Sequence, residues 1–224
     1  MSVQRDDDIA RMQHYYDLRA PEYEAMYGFD NPERRAELDA VEALVRETFI
    51  NRNVLEVACG SGYWTELLSS VAKSVTAIDT SRPMLEIARS RRYPHENVRF
   101  ELTDAYNLGA VKGDFDASLA GFWMSHVPKR RMRDFLSGLC ARLTPGSPVL
   151  FFDNNLVAGL GGELALVAGS ADTFKKRSVG DGSEHVIVKN YFTKTELREL
   201  LSAYGTVTDV TMGHWYWSAL YATK

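Results

Sequence analysis

The segment Glu56-Val57-Ala58-Cys59-Gly60-Ser61-Gly62 carries an acid followed by two glycines one residue apart. Without Cβ atoms, the backbone of such a loop passes close to a ligand. A helix starting directly behind it presents free N–H groups to anionic parts of that ligand. Asp79 ends the next apolar run, where a carboxylate can accept both hydroxyls of a ribose. Asp104 ends the run after that, where an adenine amino group would sit. A lone Gly-x-Gly reads equally as a tight strand-to-helix turn; the acid before it and an acid at each of the next two strand ends point together to a nucleoside.

These residues require an alternation of strands and helices. Apolar runs at 53–58, 74–79, 98–102, 116–122 and 149–153 read as strands, with helical periodicity between them. Helix starts are marked by Asp30-Asn31-Pro32-Glu33, Thr80-Ser81-Arg82-Pro83 and Pro128, and by a capping box of Thr193 and Glu196. Residues 154–190 break the rhythm with a glycine-rich stretch and a hairpin around Asp181-Gly182. The link Gly213-His214 between the last two β-rich runs is too short for a crossover helix, so those runs pair antiparallel. The expected fold is α/β: a doubly wound, mostly parallel seven-stranded sheet with an antiparallel terminal hairpin, an N-terminal helical lid and an insert after strand five. One domain spans residues 1–224, with 1–30 as the lid and 154–190 as a substrate-side insert. Ligands of such sheets bind beyond the carboxyl ends of the strands, just after residues 58, 78, 103, 122 and 153.

A dinucleotide fingerprint needs a third glycine three positions after the second; here that position is Thr65, behind bulky Tyr63 and Trp64. A pyrophosphate also fits poorly beside Glu56, whereas a cationic, phosphate-free nucleoside suits the loop.

With these features the sequence resembles the class I S-adenosylmethionine-dependent methyltransferases of small-molecule type. The likeness runs over about residues 50–155. It rests on Val54-Leu55-Glu56-Val57-Ala58-Cys59-Gly60-Ser61-Gly62, Ala77-Ile78-Asp79-Thr80-Ser81, Leu102-Thr103-Asp104-Ala105, Phe115-Asp116-Ala117 and the turn Leu143-Thr144-Pro145-Gly146. The resemblance implies S-adenosyl-L-methionine as cofactor and S-adenosyl-L-homocysteine as product. It implies that Glu56 orients the loop and helps to hold the methionine amino group, and that Gly60 and Gly62 pass beneath the cofactor, with Trp64 opening the helix behind them. Asp79 would take the ribose hydroxyls, Thr80 and Met84 would flank the adenine, and Asp104 and Ala105 would read its edge. Phe122 and Trp123 would lie near the methionine moiety. The segment Tyr15-Tyr16-Asp17-Leu18-Arg19-Ala20-Pro21-Glu22-Tyr23 resembles a lid, with Tyr15, Tyr16 and Tyr23 candidates to cover the cofactor.

Methyl transfer from a sulfonium chiefly asks an enzyme to align donor and acceptor and to exclude water. Aromatic faces near the sulfonium would add roughly 0.5–2 kcal/mol each, which suits Tyr15, Tyr16, Tyr23, Tyr27 and Phe29, although the same rings serve equally to pack a docking helix. His126 sits after strand four at the mouth of the expected cleft. It is a candidate general base, or else a capping and packing histidine; Tyr16 of the lid is a second catalytic candidate. Lys175-Lys176-Arg177, inside the insert, is either a solvated face or a contact for an acidic substrate group.

Composition narrows the partners. Lys and Arg number 26 and Asp and Glu 30, for a net charge of −4, the wrong sign for a protein living on a phosphate backbone. Motifs that resemble those of amino-methylating nucleic-acid members are missing after strand four, and so are the acids that hold magnesium in catechol-type members. The expectation is therefore a metal-independent enzyme with a small-molecule methyl acceptor, no nucleic acid and no membrane, as a monomer or homodimer. Two cysteines in 224 residues and an acidic N-terminus without an apolar core suit the cytoplasm. The reading is methyl transfer to a nitrogen or oxygen of a small molecule; the alternatives are an NAD(P)-dependent oxidoreductase and a non-catalytic nucleoside-binding regulatory protein.

Overall fold

Strands β1 (Asn53–Val57), β2 (Ser74–Asp79), β3 (Val98–Leu102), β4 (Ala117–Gly121) and β5 (Pro148–Asn154) are short, and all but β3 are mostly buried, the pattern of parallel strands covered on both faces, whereas β3 is half-buried to exposed. The computed structural model describes residues 3–27, 31–180 and 182–224. Phe29, Asp30 and Asp181, named above, lie outside the described residues, as does the Tyr27 side chain. Further strands are β6 (Glu163–Leu166), β7 (Thr173–Ser178), β8 (Glu184–Val188), β9 (Gly205–Met212) and β10 (Tyr216–Thr223). The helices are α1 (Val3–Arg19), α2 (Pro32–Thr48), α3 (Tyr63–Ser69), α4 (Arg82–Ser90), α5 (Met132–Cys140) and α6 (Lys194–Ser202).

The main sheet has seven strands in the order β3-β2-β1-β4-β5-β10-β9. Pairs among β1 to β5 are parallel, and β10 runs antiparallel to both β5 and β9. The chain winds outward from β1 to β3, then returns to start again at β4, so the switch point lies between β1 and β4. Each face of the sheet carries its own apolar cluster. One joins Leu55, Ile78, Phe135, Phe151 and Trp217; the other joins Val45, Phe49, Val54, Trp64 and Phe152. Fully burying side chains of this size stabilises the fold by about 1.5–3 kcal/mol each.

The helix starts follow from local chemistry. Asn31 caps α2 by accepting the Arg34 N–H, Ser81 caps α4 through the Met84 N–H, and Thr193 with Glu196 forms the capping box of α6. Pro128 begins a single 3-10 turn (Lys129–Arg131), and α5 follows only at Met132. The insert is a separate three-stranded antiparallel sheet, β6-β7-β8. The terminal turn is held by Glu37 of α2, whose carboxylate accepts the N–H groups of His214, Trp215 and Tyr216 at 2.7–3.0 Å. Among the described residues no helix is long and apolar enough to cross a membrane.

Candidate active site

The carboxyl ends of β1 and β4, adjacent at the switch point, each end in a strained residue. Ala58 has φ 55° and Phe122 φ 54°, a left-handed conformation that costs a non-glycine residue of order 1–3 kcal/mol and clusters at functional sites. Both line a cavity of about 70 Å³, with Gly60, Asp79, Asp104 and Trp123 also in its wall. Nothing in the sequence marks Ala58 as special, because an alanine side chain carries no signal of a left-handed backbone.

Short ties fix the strand tips. The Asp79 carboxylate accepts the Gly60 N–H through Oδ2 and the Ser81 N–H through Oδ1, both at 2.8 Å, so one acid spans the glycine loop and the start of α4. Burial raises the Asp79 carboxyl above its ordinary value. Asp104 Oδ1 accepts the Tyr106 N–H at 2.9 Å. Gly62 caps α3 at φ 84°, where a Cβ would lie 2.9 Å from the Cβ of Ala88 on α4; glycine is required there by conformation and by space. Two buried polar atoms in the same wall, the Tyr106 hydroxyl and the Trp123 indole nitrogen, have no hydrogen-bond partner among the described residues.

Of the residues expected around a cofactor, Tyr23, Gly60, Asp79, Thr80, Met84, Asp104, Ala105, Phe122 and Trp123 line this cavity, joined by Met12, Gln13, Thr103 and Tyr106. Four others lie elsewhere. Trp64 packs into the core against Phe152, 4.5 Å between ring centres. Gly62 lies against α4. Tyr15 is buried beside Tyr16 and His185, at 5.0 and 5.6 Å. Glu56 sits behind the loop, where Thr65 donates to it at 2.6 Å; burial lifts its carboxyl to about 8.

The N-terminal segment closes the cavity. Gln13 donates to the Thr80 carbonyl at 3.1 Å. Glu24 accepts the Ser61 hydroxyl at 2.8 Å and pairs with Arg91. The Tyr23 ring lies over Gly60. Tyr16 and His126 meet at 2.7 Å between hydroxyl and Nε2. Nδ1 of His126 lies 2.8 Å from the Val188 carbonyl, which can only accept, so Nδ1 carries the proton, and the Tyr16 hydroxyl donates to Nε2. Burial, with the Lys189 ammonium nearby, holds His126 down to about 3, and burial raises Tyr16 well above its ordinary value. Both are neutral over the physiological range.

A second cavity of about 240 Å³ opens beyond this pair and shares Tyr16, Tyr23, Phe122 and His126 with the first. At its edge Lys189, itself buried, donates to Asp153 at 2.9 Å, Ser125 at 2.7 Å and Asn154 at 3.1 Å. Burial pushes the Asp153 carboxyl up, but the Lys189 ammonium more than offsets this and holds it below the ordinary range.

A methyltransferase-domain family model matches residues 54–146, the stretch from β1 to the turn before β5. Two solved structures align along nearly the whole chain. The DhpI–SAH complex shares 29% identity over 95% of each chain, with a TM-score of 0.75. The DhpI–SAM–HEP complex shares 28% over 95% of this chain and 97% of that one, with a TM-score of 0.71. The chain carries a methyltransferase-domain match and the fold of the class I S-adenosylmethionine-dependent methyltransferases. Among curated relatives of this chain, the ubiquinone biosynthesis O-methyltransferase of Thiobacillus denitrificans is 32% identical over 130 residues, 54% of this chain and 55% of that one. The demethylmenaquinone methyltransferase of Staphylococcus epidermidis is 34% identical over 107 residues, 45% of this chain and 42% of that one. The chain thus spans about half, or less, of the length of these curated relatives.

Proposed function

We propose that this chain transfers the methyl group of S-adenosyl-L-methionine to an oxygen or nitrogen of a small molecule, releasing S-adenosyl-L-homocysteine. The observation that carries the proposal is the convergence of Gly60, Asp79 and Asp104 on one cavity at the switch point. The unpartnered Tyr106 and Trp123 polar atoms fit a ligand that brings its own hydrogen-bonding groups. When bound, the cofactor would supply a sulfonium methyl carbon to which an acceptor lone pair can bond in line as the C–S bond breaks and the sulfur leaves as a neutral thioether.

The chain's residues then have distinct tasks. Asp79 receives the ribose hydroxyls on the lone pairs its two backbone bonds leave over, and Asp104 and Met84 bracket the adenine. Tyr23 and Phe122 face both cavities and wall the line of transfer against water. Tyr16 and His126 position the acceptor at the junction. His126, held neutral and hydrogen-bonded on both nitrogens, acts by fixing the Tyr16 hydroxyl. The two cysteines are free thiols, in keeping with the cytoplasmic location expected above.

Calorimetric titration with S-adenosyl-L-homocysteine and with NAD tests the reading. Micromolar binding of the first and none of the second is expected; the reverse would establish the oxidoreductase alternative. A tritium-transfer screen over amine, phenol and acid acceptors separates an enzyme from a nucleoside-binding regulator.

A further inference from the structure

The wall of the second cavity carries Arg19, Arg34, Arg177 and Lys189 and, among the described residues, not one carboxylate, in a chain whose net charge is −4. A concentration of one sign in an enclosed space, against the sign of the whole molecule, focuses the field on an anion. Lys189 is already paired with Asp153, and Arg34 donates to the Tyr216 hydroxyl at 2.6 Å. The two remaining guanidiniums differ. Nε of Arg19 and Nε of Arg177 are both buried with no hydrogen-bond partner among the described residues, and neither guanidinium has an acidic partner within ion-pair distance there. Buried donors of this kind carry a desolvation cost that a ligand acceptor removes.

The placement of Arg177 is specific. On β7 the side chains alternate. Lys176 points away and pairs with Glu184 at 2.8 Å, while Arg177 faces the cavity and lies against Gly161. A Cβ at Gly161 would come within 2.7 Å of the guanidinium, and its φ of 74° also favours glycine. Arg19 reaches the same space from the end of α1, so the anion site is complete only when the N-terminal segment is docked.

We propose that the methyl acceptor is a small oxyanion, a carboxylate, phosphonate or phosphate monoester, whose charged head is held between Arg19 and Arg177 in the cavity beyond Tyr16 and His126. This rests on the methyl-transfer reading, whose donor occupies the adjoining cavity. A volume of about 240 Å³ lies below the ~300–1,000 Å³ of drug-sized sites, which suits a compact acceptor. Phe122 and Leu160 give the space an apolar side for the acceptor's carbon skeleton. Guanidinium forks match planar and tetrahedral oxyanions in two-point contact. The Tyr16–His126 pair offers no strong base, which agrees with an acceptor that arrives ionised.

The test titrates benzoate, methylphosphonate and inorganic phosphate into the full chain, with and without saturating S-adenosyl-L-homocysteine, beside the neutral methyl benzoate and dimethyl methylphosphonate. At least one anion should bind at least tenfold more tightly than its neutral counterpart, and benzoate against the phosphorus acids separates planar from tetrahedral heads. Arg177→Gln and Arg19→Gln should each weaken that anion tenfold or more while Arg177→Lys retains part of it, with S-adenosyl-L-homocysteine affinity in Arg177→Gln within twofold of the parent. Equal binding of acids and neutral esters, or anion affinity untouched in both glutamine variants, would overturn the proposal. Failure of S-adenosyl-L-homocysteine to bind would instead remove the methyl-transfer reading, and the anion titrations without it still decide the cavity's preference.

Discussion

The two cavities share a wall but are built differently. The first is made by strand tips and tied over short spans: Asp79 to Ser81 two residues on, Asp104 to Tyr106 two residues on, Asp79 to Gly60 nineteen away. The second is made by segments distant in sequence. Tyr16 and His126 are 110 residues apart, Lys189 and Ser125 64, and Arg34 and Tyr216 182. A parallel sheet fixes where its strands end, so a ligand read by strand tips needs only a motif at each tip. An acceptor read by the N-terminal segment and the insert depends on how two add-ons dock, a matter of side-chain packing that differs from one methyltransferase to another. The cofactor half should therefore respond to substitution through cofactor affinity, and the acceptor half through stability and turnover.

The harshest test of that division is Lys189→Met. It leaves Asp153 buried without its counterion, which should cost about 3–5 kcal/mol in urea unfolding, and Asp153→Asn in the same chain should recover much of the loss. An unchanged midpoint would mean that the insert is not tied to the sheet through this pair. Next comes pH. The Glu56 carboxyl, raised by burial from 4.5 to about 8, keeps its proton in the folded chain where the unfolded chain has lost it. Stability attributable to this group therefore falls as pH rises through that window, by up to roughly 4 kcal/mol. Glu56→Gln should flatten the profile, and parallel curves for the two proteins would remove Glu56 from the account.

In the cofactor half, Asp79→Ala should weaken S-adenosyl-L-homocysteine by about 100-fold, or roughly 3 kcal/mol, because both the ribose acceptor and the tie between Gly60 and Ser81 disappear. Calorimetry at near-normal affinity would contradict the ribose assignment. The smallest expected effect is Tyr16→Phe, which removes one hydrogen bond worth about 0.5–1.5 kcal/mol. It should lower kcat several-fold and leave cofactor affinity in place. With His126 held near 3, the kcat–pH profile should show no rise around pH 6–7; such a limb, lost in His126→Ala, would make His126 the base after all.

The difference in legibility has the same root. Gly60, Asp79 and Asp104 were readable because each has a side-chain property that a strand tip needs. Trp64 and Tyr15 illustrate the opposite: an aromatic residue near a site is marked by its type, but the facing of its helix decides whether it meets ligand or core, and both meet the core. Glu56, on β1, lies behind the loop, where Thr65 donates to it. The run Lys175-Lys176-Arg177 was visible as charge only. Strand alternation sends its members to different neighbours: Lys175 to the Leu160 and Gly162 carbonyls, Lys176 to Glu184 and Arg177 to the cavity.

By itself the order of residues determined the doubly wound sheet, its antiparallel end and the acids at its tips, because periodicity, caps and glycine spacing are local and the handedness of crossovers leaves few topologies. Only the tertiary structure decided which side chains line the second cavity. Arg19 from a helix end, Arg177 from an insert strand and His126 from the turn after β4 meet in the wall of one cavity although they lie far apart along the chain, and no periodicity records which distant surfaces will meet.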